Sequence, residues 1–203
     1  MTRNGSRSPI AWRRALAPIA AILSAAPLAM LVVRFYADDL GANPIEEVTH
    51  VTGQSTLRLL LLSLAVTPAR RFFGWPALAP LRRTFGLAAF GYATLHFFTY
   101  VGLDQGFAWA YLLEDVSERR YVTAGFAAYL CLVPLALTST RRAQKRLGRR
   151  WQKLHRLAYV AAVLGVVHFF WLVKADLVPP LLYAAVLAAL FASRFRGTTR
   201  AGC

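Results

Sequence analysis

Five stretches of the chain contain no Asp, Glu, Lys or Arg: Ala15–Val33, Phe85–Leu103, Tyr121–Thr138, Leu157–Val173 and Leu177–Ser193. As helices, each is about long enough to cross a hydrocarbon core of roughly 30 Å. A weaker sixth block runs from about Thr52 to Thr67 and is interrupted by Arg58. It spans if Arg58 lies near a helix end, where its long side chain reaches the headgroups. With 57% hydrophobic residues and a mean hydropathy of +0.44, the chain is unlike a soluble domain, in which charges interrupt the apolar residues. The expected fold class is all-α integral membrane, a six-helix transmembrane bundle.

The charges fix an orientation. Basic residues cluster before the first block (Arg3, Arg7, Arg13, Arg14), between the second and third (Arg70, Arg71, Arg82, Arg83), between the fourth and fifth (Arg141 to Lys153), and after the sixth (Arg194, Arg196, Arg200). The nine acidic residues fall in the alternate loops. That alternation is the positive-inside pattern of an even number of spans with both termini cytoplasmic. The net charge of +15 therefore faces membrane lipid, and a nucleic-acid partner is excluded because a binding surface would not alternate with every apolar block. The expected organisation is a cytoplasmic basic N-terminus (1–14), one transmembrane domain (15–195) and a cytoplasmic tail (196–203). The first apolar run is too long for a signal-peptide core and is read as a retained helix. Cys131 and Cys203 make no disulfide framework.

Ionisable residues inside a membrane segment are costly and are functional candidates by default. The alternative for a lone membrane histidine is a hydrogen bond between helices. Depth separates the two. His96 lies fourteen residues past Arg82, about 21 Å deeper, and His168 seventeen residues past Trp151, roughly 25 Å deeper. Both segments run from the inner face outward, so the two imidazoles reach similar depths. A flat group held by one His on each face, haem, fits such a pair. A bare zinc ion needs more ligands, and Cys131 is the only obvious soft one. Tyr92, Phe97, Phe98, Tyr100, Phe169, Phe170 and Trp171 are available as an apolar wall, though aromatics are also ordinary packing. His155 sits thirteen residues before His168, some 140° away around a straight helix. It points to a separate, inner site, where Arg82 is the matching position on the third helix. The alternatives are an interfacial histidine and a snorkelling arginine.

The segments "LRRTFGLAAFGYATLHFFTY" (81–100) and "WQKLHRLAYVAAVLGVVHFFW" (151–171), with "HVTGQ" (50–54) and "VTPARR" (66–71) flanking the second helix, resemble the ferric-reductase-like transmembrane domain, in particular its MsrQ (YedZ) branch. The resemblance covers about Val48 to Ala192. It implies a multi-pass protein of the bacterial inner membrane carrying haem b, one or two, and FMN. It further implies electron transfer from quinol or a cytoplasmic flavin reductase to a periplasmic molybdopterin enzyme, MsrP, that repairs methionine sulfoxide. By the same resemblance His96 and His168 match the axial ligands of the haem iron, and His155 matches the third family histidine. Two-haem relatives carry a histidine where this chain has Arg82, which leaves a second haem to His155, alone or with Arg82 at a propionate. Two other readings remain: a ferric or cupric reductase acting at the outer surface, and a proton or metal transporter using the histidines as a relay. No dinucleotide fingerprint, P-loop or nucleophile elbow is present.

Overall fold

The computed structural model describes residues 9–195; the expected tail 196–203 and the first eight residues lie outside the described residues. The described residues are helical throughout: α1 (Pro9–Tyr36), α2 (Pro44–Phe73), a 3-10 turn (Pro76–Leu78), α3 (Ala79–Phe98) running into a π turn (Thr99–Asp104), α4 (Trp109–Glu118), α5 (Arg120–Leu137), α6 (Arg141–Leu147), α7 (Arg149–Leu154), α8 (Leu157–Leu172) and α9 (Val178–Phe195). Three segments are long and apolar enough to cross a membrane, Ala15–Tyr36, Arg120–Leu137 and Arg149–Leu172, and Val178–Arg194 is a shorter apolar helix.

Local chemistry sets the length of α2. Asn43 caps its start by accepting from the Glu46 backbone N–H, Pro44 needs no partner there, and Glu46 and Glu47 face the positive end of the helix dipole. Arg70 and Arg71 stand in the last turn, and Gly74 closes it at φ 63°, a left-handed conformation that glycine adopts freely. These caps lie well outside the apolar block, so α2 has thirty residues. One sequence expectation changes as a result. Arg58 is in the middle of α2, not near an end.

The helices pack as two close pairs, α2 on α3 and α5 on α8, with α1 laid on α3 and α9 on α2 and α8. Leu60, Leu64, Ala89, Ala93, Leu132, Ala161, Ala162 and Val166 form the buried seam between them. At about 25 cal/mol per Å², this burial is the main cohesion between helices where water drives it, while small residues such as Ala89 and Ala162 allow close van der Waals approach in lipid. Tyr92 ties α1 down. Pro27 interrupts α1, and the Tyr92 hydroxyl occupies the break, donating to Ser24 O (2.8 Å) and accepting from Leu28 N–H (3.0 Å). Tyr92 is therefore an anchor for α1 rather than part of a wall around the histidines.

Charge separates the two ends. The three salt bridges among the described residues, Arg34 with Asp39, Arg34 with Glu47 and Arg119 with Asp115 (3.1 Å), all lie at the acidic end. The loops also carry more structure than their sequences suggest. The segment after α3 holds the π turn and α4, whose buried Asp115 accepts from the Tyr100 hydroxyl at 2.7 Å. The basic run after α5 folds as α6, capped by Thr140. The histidine-bearing segment 151–171 is not one helix, because the chain turns at His155–Arg156 between α7 and α8.

Candidate functional site

His96 and His168 come together. His96 stands near the end of α3, just before the π turn, and His168 near the end of α8. Their ring centroids are 6.1 Å apart and the rings are nearly perpendicular, at 83°. Each imidazole is tied to the partner helix of its own pair. His96 Nδ1 bonds to Thr49 O on α2 at 3.0 Å, and His168 Nδ1 bonds to Tyr121 O on α5 at 2.7 Å. A carbonyl only accepts, so both Nδ1 atoms carry the hydrogen. Both Nε2 atoms then keep their lone pairs, and neither makes a hydrogen bond among the described residues. A backbone carbonyl holding Nδ1–H is how a metal-binding histidine is oriented and its tautomer fixed.

Two glycines make room for these rings. A Cβ on Gly53 of α2 would meet His96 Cε1 at 3.0 Å, and one on Gly125 of α5 would meet His168 Nδ1 at 2.7 Å. The imidazoles therefore lie against bare backbone. The two helix pairs each supply the same device: one histidine, one carbonyl and one glycine. Sequence reading found the histidines and missed the rest. Gly53 lies within "HVTGQ", but nothing in the spacing of the chain joins it to His96.

The site suits a group bound through two axial nitrogens. No cluster of three or more His, Cys, Asp or Glu that would hold a bare metal ion occurs among the described residues. A separation of 6.1 Å between centroids accommodates one metal atom with bonds of about 2 Å to each Nε2. The residues present thus fit a bis-imidazole haem. Of the expected aromatic wall, Phe97 stacks on Tyr129 (4.8 Å, 10°) and Phe126 of α5, Phe169 meets Tyr183 edge-on, and Phe98, Phe170 and Trp171 face outward.

His155 is elsewhere, at the basic end of the same α5–α8 pair. Its Nε2 lies 3.1 Å from Thr138 Oγ1. That hydroxyl donates to Pro134 O, so His155 Nε2 is the donor to it. Trp151 stacks on the ring at 3.9 Å and donates its indole N–H to Thr138 O. Arg82 is half-buried and makes no hydrogen bond to His155. His155 therefore differs from the other two histidines, because a ligand to its Nε2 must first displace Thr138. Cys131 is half-buried in α5 with a free thiol.

Comparison with known proteins bears on the same residues. The family described as ferric reductase like transmembrane component matches residues 51–166. That span includes His96 and His155, and His168 lies just beyond it. A protein of Rhodospirillum rubrum named protein-methionine-sulfoxide reductase heme-binding subunit MsrQ is 52% identical over 169 residues, covering 83% of this chain and 81% of its own length. Proteins of the same name from Caulobacter vibrioides (49% identical, covering 81% and 79%) and Xanthomonas axonopodis pv. citri (46%, covering 83% and 80%) are also similar. No solved structure matches the chain.

Proposed function

Because the chain belongs to the MsrQ haem-binding subunits within the ferric-reductase-like transmembrane family, we propose that it is a membrane electron-transfer subunit of a methionine-sulfoxide reductase system. The facing pair of His96 and His168, each with Nδ1 tied to a carbonyl and Nε2 left open, is the observation that carries this reading. Haem b held there by the Nε2 atoms of His96 and His168 would supply an iron able to carry one electron at a time.

The chain's own residues do the rest. His96 and His168 would hold the haem iron, and the carbonyls of Thr49 and Tyr121 hold their rings in place. With an imidazole on each side the iron would have no site left for oxygen, which would favour electron transfer over oxygen chemistry. At the basic end, His155 is the ligand for a second haem, with Arg82 as the cation available to its propionates. The six long helices α1, α2, α3, α5, α8 and α9 are the spans, with both termini on the cytoplasmic side of the bacterial inner membrane. The acidic end then faces the periplasm, where its carboxylates steer the molybdopterin enzyme MsrP. Electrons come from quinol or a cytoplasmic flavin reductase. Arg70, Arg71 and the Arg141–Arg150 run supply the cations for the phosphate of FMN.

Rapid mixing tests the direction of flow. The reduced protein is mixed with oxidised MsrP, and in parallel with a soluble Fe(III) chelate, while the haem bands are followed. Fast oxidation by MsrP and slow oxidation by Fe(III) supports the subunit role. The reverse order supports a reductase acting at the outer surface and sinks the proposed partner.

A further inference from the structure

Helix α4 crosses the outer end of the bundle above the histidine pair. On one side its Asp115 accepts from the Tyr100 hydroxyl at 2.7 Å, and Tyr100 stands one turn past His96. On the other side α4 runs through Arg119 into α5, where the Tyr121 carbonyl holds His168 at 2.7 Å. Arg119 closes the crossing, with Nε 3.1 Å from Asp115 Oδ1. A helix is about 10 Å across. With the flanks of the bundle in lipid, α4 is a cover one helix thick between the site and the outer water.

The cover is acidic on its open side. It buries Leu112 and Asp115 and leaves Glu114, Ser117 and Glu118 exposed. From Thr99 to Glu118 the chain has no Lys, Arg or His. Asp115 is paired with Arg119, whereas Asp104, Glu114 and Glu118 have no cationic partner among the described residues.

The loop that leads into α4 holds an aromatic ring in the open. Phe107 sits at φ 59°, in the left-handed region, which a bulky residue enters only at a cost. Its N–H donates to Val101 O at 2.9 Å, and its ring lies on Gly102, where a Cβ would meet Cζ at 3.1 Å. The ring is still 56% exposed, and Trp109 is 68% exposed. Burial therefore does not account for the strained backbone. A fixed aromatic anchor with charged residues around it has the make-up of a protein-docking patch. The charge selects the occupant. A second copy would set carboxylates against carboxylates, and anionic headgroups are repelled in the same way. A protein with cations around an apolar spot is attracted.

We propose that Phe107 and Trp109, with Asp104, Glu114 and Glu118 around them, form the docking surface for an electron-accepting protein with a basic face. The redox role of that partner rests on the electron-transfer reading above; the docking surface does not. Reduction of one methionine sulfoxide to the thioether takes two electrons and two protons and releases one water. Two electrons therefore cross this face per turnover, one at a time, to the oxidised partner, and the protons are consumed at the partner's own centre.

The test uses the full chain in phosphatidylcholine nanodiscs, mixed with oxidised MsrP and treated with a carbodiimide, which joins carboxylates to amines in contact. Mass spectrometry maps the links. Links from Glu114 or Glu118 are expected, and high salt should abolish them. Glu114→Gln combined with Glu118→Gln should slow oxidation of the reduced protein by MsrP about tenfold at low salt and flatten the salt dependence. Phe107→Ala should weaken cross-linking at every salt concentration. Asp38→Asn combined with Glu46→Gln, an equal change of charge away from α4, should do neither. The dithionite-reduced spectrum should be the same in all of them, which shows that the fold is intact. Links mapped to other loops, no links, or a rate as sensitive to the Asp38 and Glu46 pair as to the Glu114 and Glu118 pair overturns the surface. Links at α4 with no electron passed to MsrP overturn the electron-transfer reading and leave the surface standing.

Discussion

The imidazoles of His96 and His168 face each other with centroids 6.1 Å apart and planes at 83°, and each is held by a carbonyl of the helix packed beside its own. The arrangement is duplicated: His96, Thr49 and Gly53 on the α2–α3 pair, and His168, Tyr121 and Gly125 on the α5–α8 pair. Each spends Nδ1 on its own helix pair, and neither Nε2 makes a hydrogen bond among the described residues.

The glycines yield an ordered prediction. A methyl at Gly125 would meet His168 Nδ1 at 2.7 Å, whereas one at Gly53 meets His96 Cε1 at 3.0 Å. Gly125→Ala must displace the ring, at about 1–3 kcal/mol for overpacking, which is roughly fivefold to 150-fold in haem affinity if the strain falls on the ligated state. Gly53→Ala should cost less. The haem-to-protein ratio after chelation by apomyoglobin measures both, and equal ratios for the two variants would contradict the cradle.

Tyr92→Phe separates stability from function. It strips Ser24 O and Leu28 N–H of their partner at the Pro27 break, costing about 1–3 kcal/mol for buried groups left unpaired. Thermal unfolding in detergent should shift down, with the haem spectrum of the remaining folded protein unchanged. A spectral change would place Tyr92 in the haem site after all.

Asp115 is the corresponding anchor at the acidic end. Asp115→Ala strands the Tyr100 hydroxyl and removes the partner of Arg119, again about 1–3 kcal/mol. Because α4 rests on this carboxylate, proteolysis within Trp109–Glu118 should accelerate before the bundle unfolds. Protection equal to that of the parent protein would show that α4 is held by its apolar contacts alone.

His155→Ala addresses the second haem. If His155 holds one, the variant should carry half the haem of the parent protein and keep the bands of the outer pair. Thr138→Val, which frees His155 Nε2, should leave the content at its full value. An unchanged ratio in His155→Ala leaves His155 as a helix-packing residue joined to Thr138 and Trp151.

Much of this was legible in the sequence, for physical reasons. Helices in lipid announce themselves by apolar length, and a helix advances a fixed distance per residue, so arithmetic along two segments was enough to match His96 with His168 in depth. Depth is a one-dimensional quantity. What escaped is lateral. Which helix lies beside which decides that Gly53 meets His96, that Gly125 meets His168 and that Tyr183 reaches Arg58, and no spacing along one chain encodes that. Arg58 falls in the middle of α2 because the caps at Asn43 and Gly74 lengthen that helix far beyond its apolar block. The turn at His155 was missed because the surrounding residues favour helix throughout, and nothing marks the break between α7 and α8.

An absorption spectrum of the detergent-purified protein, oxidised and then reduced with dithionite, compared with those of His96→Ala and His168→Ala, tests whether these two histidines hold a haem. A sharp reduced α band and a shifted Soret band from a low-spin b-type haem are expected, lost in either variant while the protein stays folded by circular dichroism. A stable His168→Ala protein with its spectrum intact, or a colourless parent protein expressed with ample haem, would contradict it.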